Sequence, residues 1–312
     1  MSTLAPKGPT WVALRQYRRT LWLATGVTAL TLLVIGGLRL WDALTPDTLL
    51  ADGRPFPAND SGHALLRGAM RSLSDAVFAV PFAVALFVAG PLVAREYESG
   101  TYRLSLTQSV TPTAWLRSKL GFATATGLGA VVLLTGAYAL GWARVDDSYG
   151  FLRHDAGPYL VLGTVLAAYT LLGVAVGALA GLLIRRTLVA MSAAGLATGV
   201  VMLVLDSVRW DFLAPVTITG KAVEGASTVM VPDGGRLVDQ GLVMADGRRE
   251  PGWFCGYEGG VCRVDEPVTA QYLDYHPVSH VLPTQLIETG IVLALAALAL
   301  LAAFRVLRAR HP

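Results

Sequence analysis

The chain is 312 residues long, 54% hydrophobic and only 15% charged, with a formal net charge of +3. Soluble globular domains carry about a quarter charged residues, so this balance excludes an ordinary soluble enzyme, although the length alone would allow two soluble domains. The small net charge gives no reason to expect a nucleic-acid partner.

Six stretches close to twenty residues long have no Asp, Glu, Lys, Arg or His in their interiors: 21–38, 76–94, 120–142, 159–184, 188–205 and 289–304. Each is about the length that crosses the hydrocarbon core of a bilayer. An apolar soluble bundle would need six helices without polar faces, so the pattern predicts an all-α polytopic membrane protein with six transmembrane helices. The basic start resembles a signal peptide only superficially. Its apolar run is too long for an h-region and lacks a clear small-x-small cleavage site, so 21–38 reads as a retained first span.

Orientation follows from the basic residues near the span ends. With the N-terminus in the cytoplasm, the inner segments are 1–19, 95–119, 185–187 and 305–312. They hold 13 of the 25 basic residues and two acidic ones, a charge of +11, against 12 basic and 20 acidic residues elsewhere, a charge of −8. Both termini are therefore expected in the cytoplasm. Three Lys against 22 Arg, with abundant Ala, Val and Gly, suggest a GC-rich bacterial genome and a bacterial plasma membrane.

In chain order, the first outer loop, 41–75, carries Pro46, Pro55 and Pro57 and then a short helix at 64–73, expected as a cap on the membrane surface. Asn59-Asp60-Ser61 matches a glycosylation sequon by chance. On the inner side, Gly100 can end the helix leaving span two, because glycine accepts the left-handed conformation of helix stops. Thr111-Pro112 reads as an N-cap followed by proline at the first helical position. A short amphipathic piece, 102–108, lies between them, and the whole segment 95–119 forms a helix-turn-helix elbow. Gly173, Gly177 and Gly181, then Gly195 and Gly199, make stripes that let backbones approach closely. They fit a dimer or sliding interface, or ordinary packing within one bundle.

The segment 209–283 is the one soluble region large enough to have structure of its own. Asp233-Gly234 and Asp246-Gly247 bracket a β-favouring run, 237–244, which predicts a small hairpin or two. Cys255 and Cys262, the only cysteines, fall on the outer side, where thiols can pair. A bridge closing so short a loop would add roughly 2 to 3 kcal/mol; free thiols are the alternative, and two cysteines do not resemble a zinc site.

Chemistry-bearing motifs are scarce. No side chain in the middle of a span is ionisable, which argues against an ion-coupled carrier and against a charge-lined pore. Ile218-Thr219-Gly220-Lys221-Ala222 lacks the remaining residues of a phosphate loop. Ser105 and Ser109 have no His partner. His276 and His280 stand four apart, but Pro277 follows the first and no carboxylate companion completes a zinc site; a surface helix at the membrane edge accounts for them. No cofactor is expected.

The pattern Arg95-Glu96-Tyr97-Glu98-Ser99-Gly100-Thr101-Tyr102-Arg103, with Thr107-Gln108-Ser109-Val110 and Trp115-Leu116-Arg117-Ser118-Lys119, resembles the loop after span two in the permease subunits of type 2 ABC exporters, particularly an actinobacterial group. Trp11 to Arg19 resembles that group's N-terminal segment. His276-Pro277-Val278-Ser279-His280 with Gln285 and Glu288 is similar to its approach to span six. The resemblance implies a pair of six-span subunits, two copies or a copy and a paralogue, working with separate cytoplasmic ABC ATPase chains. ATP hydrolysis is expected on those chains and none on this one. The elbow between spans two and three would dock on the ATPase, with Glu96, Glu98, Gly100, Thr101 and Arg103 as its coupling residues. Arg15, Arg18, Arg19, Arg117 and Lys119 would anchor the inner face to membrane lipids. A solvated helix end is the alternative for the two glutamates, and simple topology marking for the N-terminal arginines.

The expected organisation is a membrane domain, 1–208, with the elbow 95–119; an outer subdomain with the disulfide, 209–283; and the sixth helix with a basic tail, 284–312. Export of an amphipathic substrate, such as a lipid, peptide or antibiotic-like molecule, follows by analogy of fold. Two other classes stand beside it: a membrane-embedded enzyme with an outer-face site at His276, His280 and Asp274, and a membrane ligand-binding partner that transports nothing.

Overall fold

The computed structural model describes residues 18–45, 61–102, 111–145, 151–222, 227–252 and 268–310. Arg15, Arg103, Cys255, Cys262, the sequon at Asn59 and most of the piece 102–108 lie outside the described residues, as does the side chain of Arg19. The chain divides into two compact units, one drawn from 1–146, 156–208 and 285–312, the other from 147–155 and 209–284.

The first unit is a helix bundle. Its helices are α1 (Arg18–Leu44), α2 (Ser61–Phe78), α3 (Val80–Ala83), a π-helical turn (Val84–Ala89), α4 (Gly90–Glu98), α5 (Pro112–Val145), α6 (Ala156–Val161), α7 (Val165–Ile184), α8 (Thr187–Val208) and α9 (Val281–Arg310). Six helical stretches among the described residues are long and apolar enough to cross a membrane, in the order expected: Thr25–Leu44, Gly62–Glu98, Pro112–Val145, Val165–Ile184, Thr187–Asp211 and Val278–Arg310.

The second stretch differs from expectation. In place of a short cap at 64–73, α2 is an 18-residue helix that packs on α1, α5 and α6 with Leu66 and Met70 fully buried. It continues into span two through a break at Ala79 and the π-helical turn. Pro81 and Pro91 flank this irregularity. A proline has no N–H to give the ladder and its ring crowds the carbonyl four residues back, and π-bulges are one way a helix absorbs such a fault. The Gly90 N–H accordingly bonds the Ala85 carbonyl, five residues back.

Helix α7 is the centre of the bundle, with 67% of its span buried, the largest share of the six. Its glycine stripe makes that position tenable. A Cβ on Gly173 would lie 2.7 Å from the Pro81 carbonyl oxygen, one on Gly177 would lie 2.5 Å from the Ala89 Cβ, and one on Gly181 would lie 2.8 Å from the Val93 Cβ. Three successive glycine-bearing turns of α7 thus meet the α3–π–α4 backbone directly. Gly195 and Gly199 of α8 face Phe82 and Leu86 of the same stretch. The stripes serve packing within one bundle, and a small-alanine cluster of Ala85, Ala94, Ala180, Ala190 and Ala194 joins the three helices. Outward faces of α1, α8 and α9 carry exposed Leu, Val, Ile and Trp side chains, including Leu33, Leu203 and Leu298, as helices facing lipid do.

The second unit holds a four-stranded antiparallel sheet, β1 (Val216–Lys221), β2 (Arg236–Met244), β3 (Arg249–Pro251) and β4 (Val268–His276), in the order β1-β4-β2-β3. The expected hairpin is β2–β3, with Leu242 opposite Glu250. Gly234 and Gly247 supply the turns with φ of 68° and 83°, values a β-carbon disfavours. The main partner of β2 is nevertheless β4, with Gly241 opposite Tyr272. The stretch that partly matched a phosphate loop is β1, paired with β4 so that Thr217 faces Asp274.

Candidate functional site

The residues singled out in the elbow converge on one end of the helix bundle. Helix α4 stops at Glu98 because Gly100 takes φ 73°, the left-handed stop expected there. The Ser99 N–H bonds the Arg95 carbonyl at 3.0 Å and the Gly100 N–H bonds the Tyr97 carbonyl at 3.3 Å. Helix α5 then starts at Pro112, with the Thr111 hydroxyl accepting from the Ala114 N–H at 3.3 Å, the expected N-cap.

Glu96 ties these two helix ends together. One carboxylate oxygen accepts the Trp115 indole N–H at 2.8 Å and the other pairs with Lys119. Only 15% of the Glu96 side chain and 12% of the Lys119 side chain are exposed, so both are committed inside the chain. Lys119, expected as a lipid anchor, is the counter-charge to Glu96; Arg117 and Arg18 are exposed. Beneath the pair, Val93, Tyr97, Trp115, Leu116, Ala178, Leu182, Ala303 and Leu307 form one apolar cluster drawn from α4, α5, α7 and α9. Tyr97 and Tyr102 stack at 4.4 Å, and Tyr97 meets Trp115 edge-on at 5.9 Å.

Glu98 also has a partner within the chain. Its carboxylate accepts the Thr187 backbone N–H at 2.9 Å and the Thr187 hydroxyl. Thr187 opens α8, so Glu98 of α4 supplies the acceptor that the first turn of another helix lacks. Thr101 shares a hydrogen bond with Ser99 at 2.9 Å.

Two buried polar groups in the first unit went unread as such in the sequence, although Gln285 and Glu288 stood in the motif before span six. Glu288, fully buried in α9, accepts from the hydroxyls of Tyr159 at 2.7 Å and Tyr169 at 2.6 Å, while Gln285 donates to the Tyr159 carbonyl at 2.6 Å. Asp42, also buried, pairs with Arg144 at 2.6 Å and stands 3.7 Å from His63. The helices run further than the purely apolar stretches, and these groups sit in the extensions. Extending 289–304 until charge recurs would have exposed Glu288 as a helix residue.

In the second unit the two histidines are not on a surface helix. His276 ends β4 and is 2% exposed, and His280 closes a 3₁₀ turn, Val278–His280. Their Nδ1 atoms lie 3.1 Å apart. The Trp210 ring lies tilted against both His154 and His276, with ring centroids at 5.1 and 5.5 Å, and Arg236 lies over its ring. Burial holds both His154 and His276 below the usual imidazole range; the charge of His280 adds to the effect on His276. Asp274 does not join the pair, being engaged by Thr217 at 2.5 Å and Arg249 at 3.0 Å. Tyr272 donates to Asp239 at 2.8 Å, and burial with that bond pushes its phenol up to about 12. Among the described residues no three of His, Cys, Asp and Glu come together as a metal site.

A family model described as ABC-2 membrane transporter related matches residues 23–209. That span runs from the first turns of α1 to the end of α8 and includes the braced ends of α4 and α5 and the α7–α8 turn. No curated protein and no solved structure gives a match.

Proposed function

Because the chain belongs to the ABC-2 membrane transporter related family, we propose that this multi-pass membrane transport permease is one subunit of an ATP-driven exporter, working as a dimer above separate cytoplasmic ATPase chains. The bundle of α1–α9 is its membrane domain, both termini lie in the cytoplasm, and 209–283 is an outer subdomain held by a Cys255–Cys262 bridge. The passage forms between the two permease copies, and the substrate is amphipathic. Transport is the protein's own task and ATP hydrolysis that of its partner.

The observation that carries this reading is the braced end of the bundle. A helix stop at Gly100 and an N-cap at Thr111 fix where the chain leaves and re-enters the membrane domain. Glu96 locks those two points to each other through Lys119 and Trp115. A push reaching the helix ends at Gly100 and Thr111 is therefore delivered to α4 and α5 together. Gly100, Thr101 and Arg103 meet the ATPase in this arrangement, with Glu96 and Glu98 setting the base from below. Arg15, Arg18, Arg19 and Arg117 lie along the anionic inner leaflet, which attracts such side chains.

Affinity purification from the native membrane in mild detergent tests the proposal. The wild type should bring down an ATPase with nucleotide-binding motifs, and Gly100→Pro should lose it, since proline cannot take φ 73°. A folded wild type that brings down no ATPase in several detergents would overturn the exporter reading.

A further inference from the structure

Helices α7 and α8 are joined by Arg185 and Arg186 alone, and the ends they leave are served by other helices. A helix terminus exposes backbone groups without partners. Here the last turn of α7 has its Leu182 carbonyl taken by the Arg310 guanidinium of α9. The first N–H of α8 is taken by Glu98 of α4, a carboxylate at the end of a helix that favours negative charge. Arg185 adopts φ 56°, the one left-handed non-glycine residue among those described, a conformation kept only where surroundings impose it. Its guanidinium carbon lies 5.9 Å from the centroid of the Tyr97 ring of α4. The hydroxyl of Thr187 adds a second bond to Glu98. Four contacts thus fasten this turn and the helix ends beside it to neighbouring helices, three of them to the last turn of α4.

We infer that Glu98 is a positioning residue for coupling and makes no contact with the motor itself. With Tyr97 it clamps the α7–α8 turn to the end of α4, so that displacement of the elbow carries the turn with it. Motion entering beside Gly100 is then delivered to α7, the central helix, and to α8, as well as to α5 through Glu96. The inference rests on the exporter reading for its role in transport, while the clamp itself is a property of this chain alone.

Hydrogen exchange separates the two levels. In the isolated chain in nanodiscs, Glu98→Ala should speed exchange of the first amides of α8 about tenfold. Thr187→Val should produce a smaller increase and Thr187→Ser none. In the complex purified with its ATPase, ATP with vanadate should alter exchange of 95–102 and 185–192 together in the wild type and in Thr187→Ser. Glu98→Ala should keep the response at 95–102 and lose it at 185–192, a nucleotide-dependent readout that a merely structural role would not move. Wild-type protein that copurifies with no ATPase counts against the exporter reading, and the exchange of the isolated chain still decides the clamp. The clamp is overturned if Glu98→Ala leaves the first amides of α8 as protected as before. Its coupling role is overturned if both segments still respond together in Glu98→Ala, or if that variant loses the ATPase altogether.

Discussion

The close approach of α7 to the α3–π–α4 stretch leaves no room for a side chain at Gly177. In Gly177→Ala the new methyl would sit 2.5 Å from the Ala89 Cβ, 2.9 Å from the Gly90 nitrogen and 3.0 Å from the Ala89 carbonyl carbon. Relaxed carbon–carbon contacts lie at about 3.5 to 4.0 Å, so the overlap is about 1 Å, and two of the three atoms are backbone that no rotamer change can move. The helices cannot part locally, because Gly173 and Gly181, one turn to either side, hold approaches of 2.7 and 2.8 Å on the same scale. An overlap of about 1 Å against backbone falls in the upper part of the usual overpacking cost, about 2 to 3 kcal/mol, against a helix-propensity gain of about 1 kcal/mol for Gly to Ala. The net expectation is a loss of about 1 to 2 kcal/mol, or about 2 to 8 °C in melting temperature. Gly199→Ala is the control: its methyl would meet the Phe82 ring at 3.7 Å, an ordinary contact, so stability should hold or rise. Melting in mild detergent followed by fluorescence-detected size exclusion compares them. Equal melting of Gly177→Ala and wild type, or an equal loss in Gly199→Ala, would refute the packing argument.

Glu288→Leu should destabilise the bundle by about 2 to 5 kcal/mol, since it removes the acceptor of two buried tyrosine hydroxyls; Tyr159→Phe should cost less, and detergent melting ranks the two. Glu96→Ala should red-shift Trp115 emission and lower the melting temperature more than Arg117→Ala, because Glu96 holds the Trp115 indole and Lys119 while Arg117 is exposed. The sheet of the second unit should weaken in acid. Burial holds the folded His276 below its unfolded value of 6.5, so the unfolded chain binds the proton first and stability, complete above pH 6.5, falls with pH until the folded group titrates. Hydrogen exchange of 268–276 between pH 8 and pH 5 should show this loss, and His276→Gln should flatten it.

Much of the membrane unit was legible in the sequence because each span declares itself. A run such as 188–205 contains no group that water must hold, so its environment follows from local composition. The helix stop at Gly100 and the cap at Thr111 were legible for the same reason, being set by residues within a few positions of each other. The hairpin β2–β3 followed from the Asp246-Gly247 turn between its strands. Strands β1 and β4 did not, because β4 lies between β1 and β2 and owes its place to pairing across the chain rather than to its own alternation.

The elbow's location could be read from its motif, but the commitments of its residues could not. Glu96 looked available for a partner until α5 folded back to bring Trp115 and Lys119 against it, and Glu98 until the α7–α8 turn brought Thr187 within 2.9 Å. The donors that engage the half-buried Glu96 and the exposed Glu98 stand 19 to 89 positions away. The glycine stripe of α7 announced a close helix approach, and only the packed bundle decided that the neighbour is span two of the same chain. Hydrophobic length and turn chemistry are local and so belong to the sequence. Partner choice for a charge, a glycine face or a strand edge is a property of the surfaces that tertiary structure brings together.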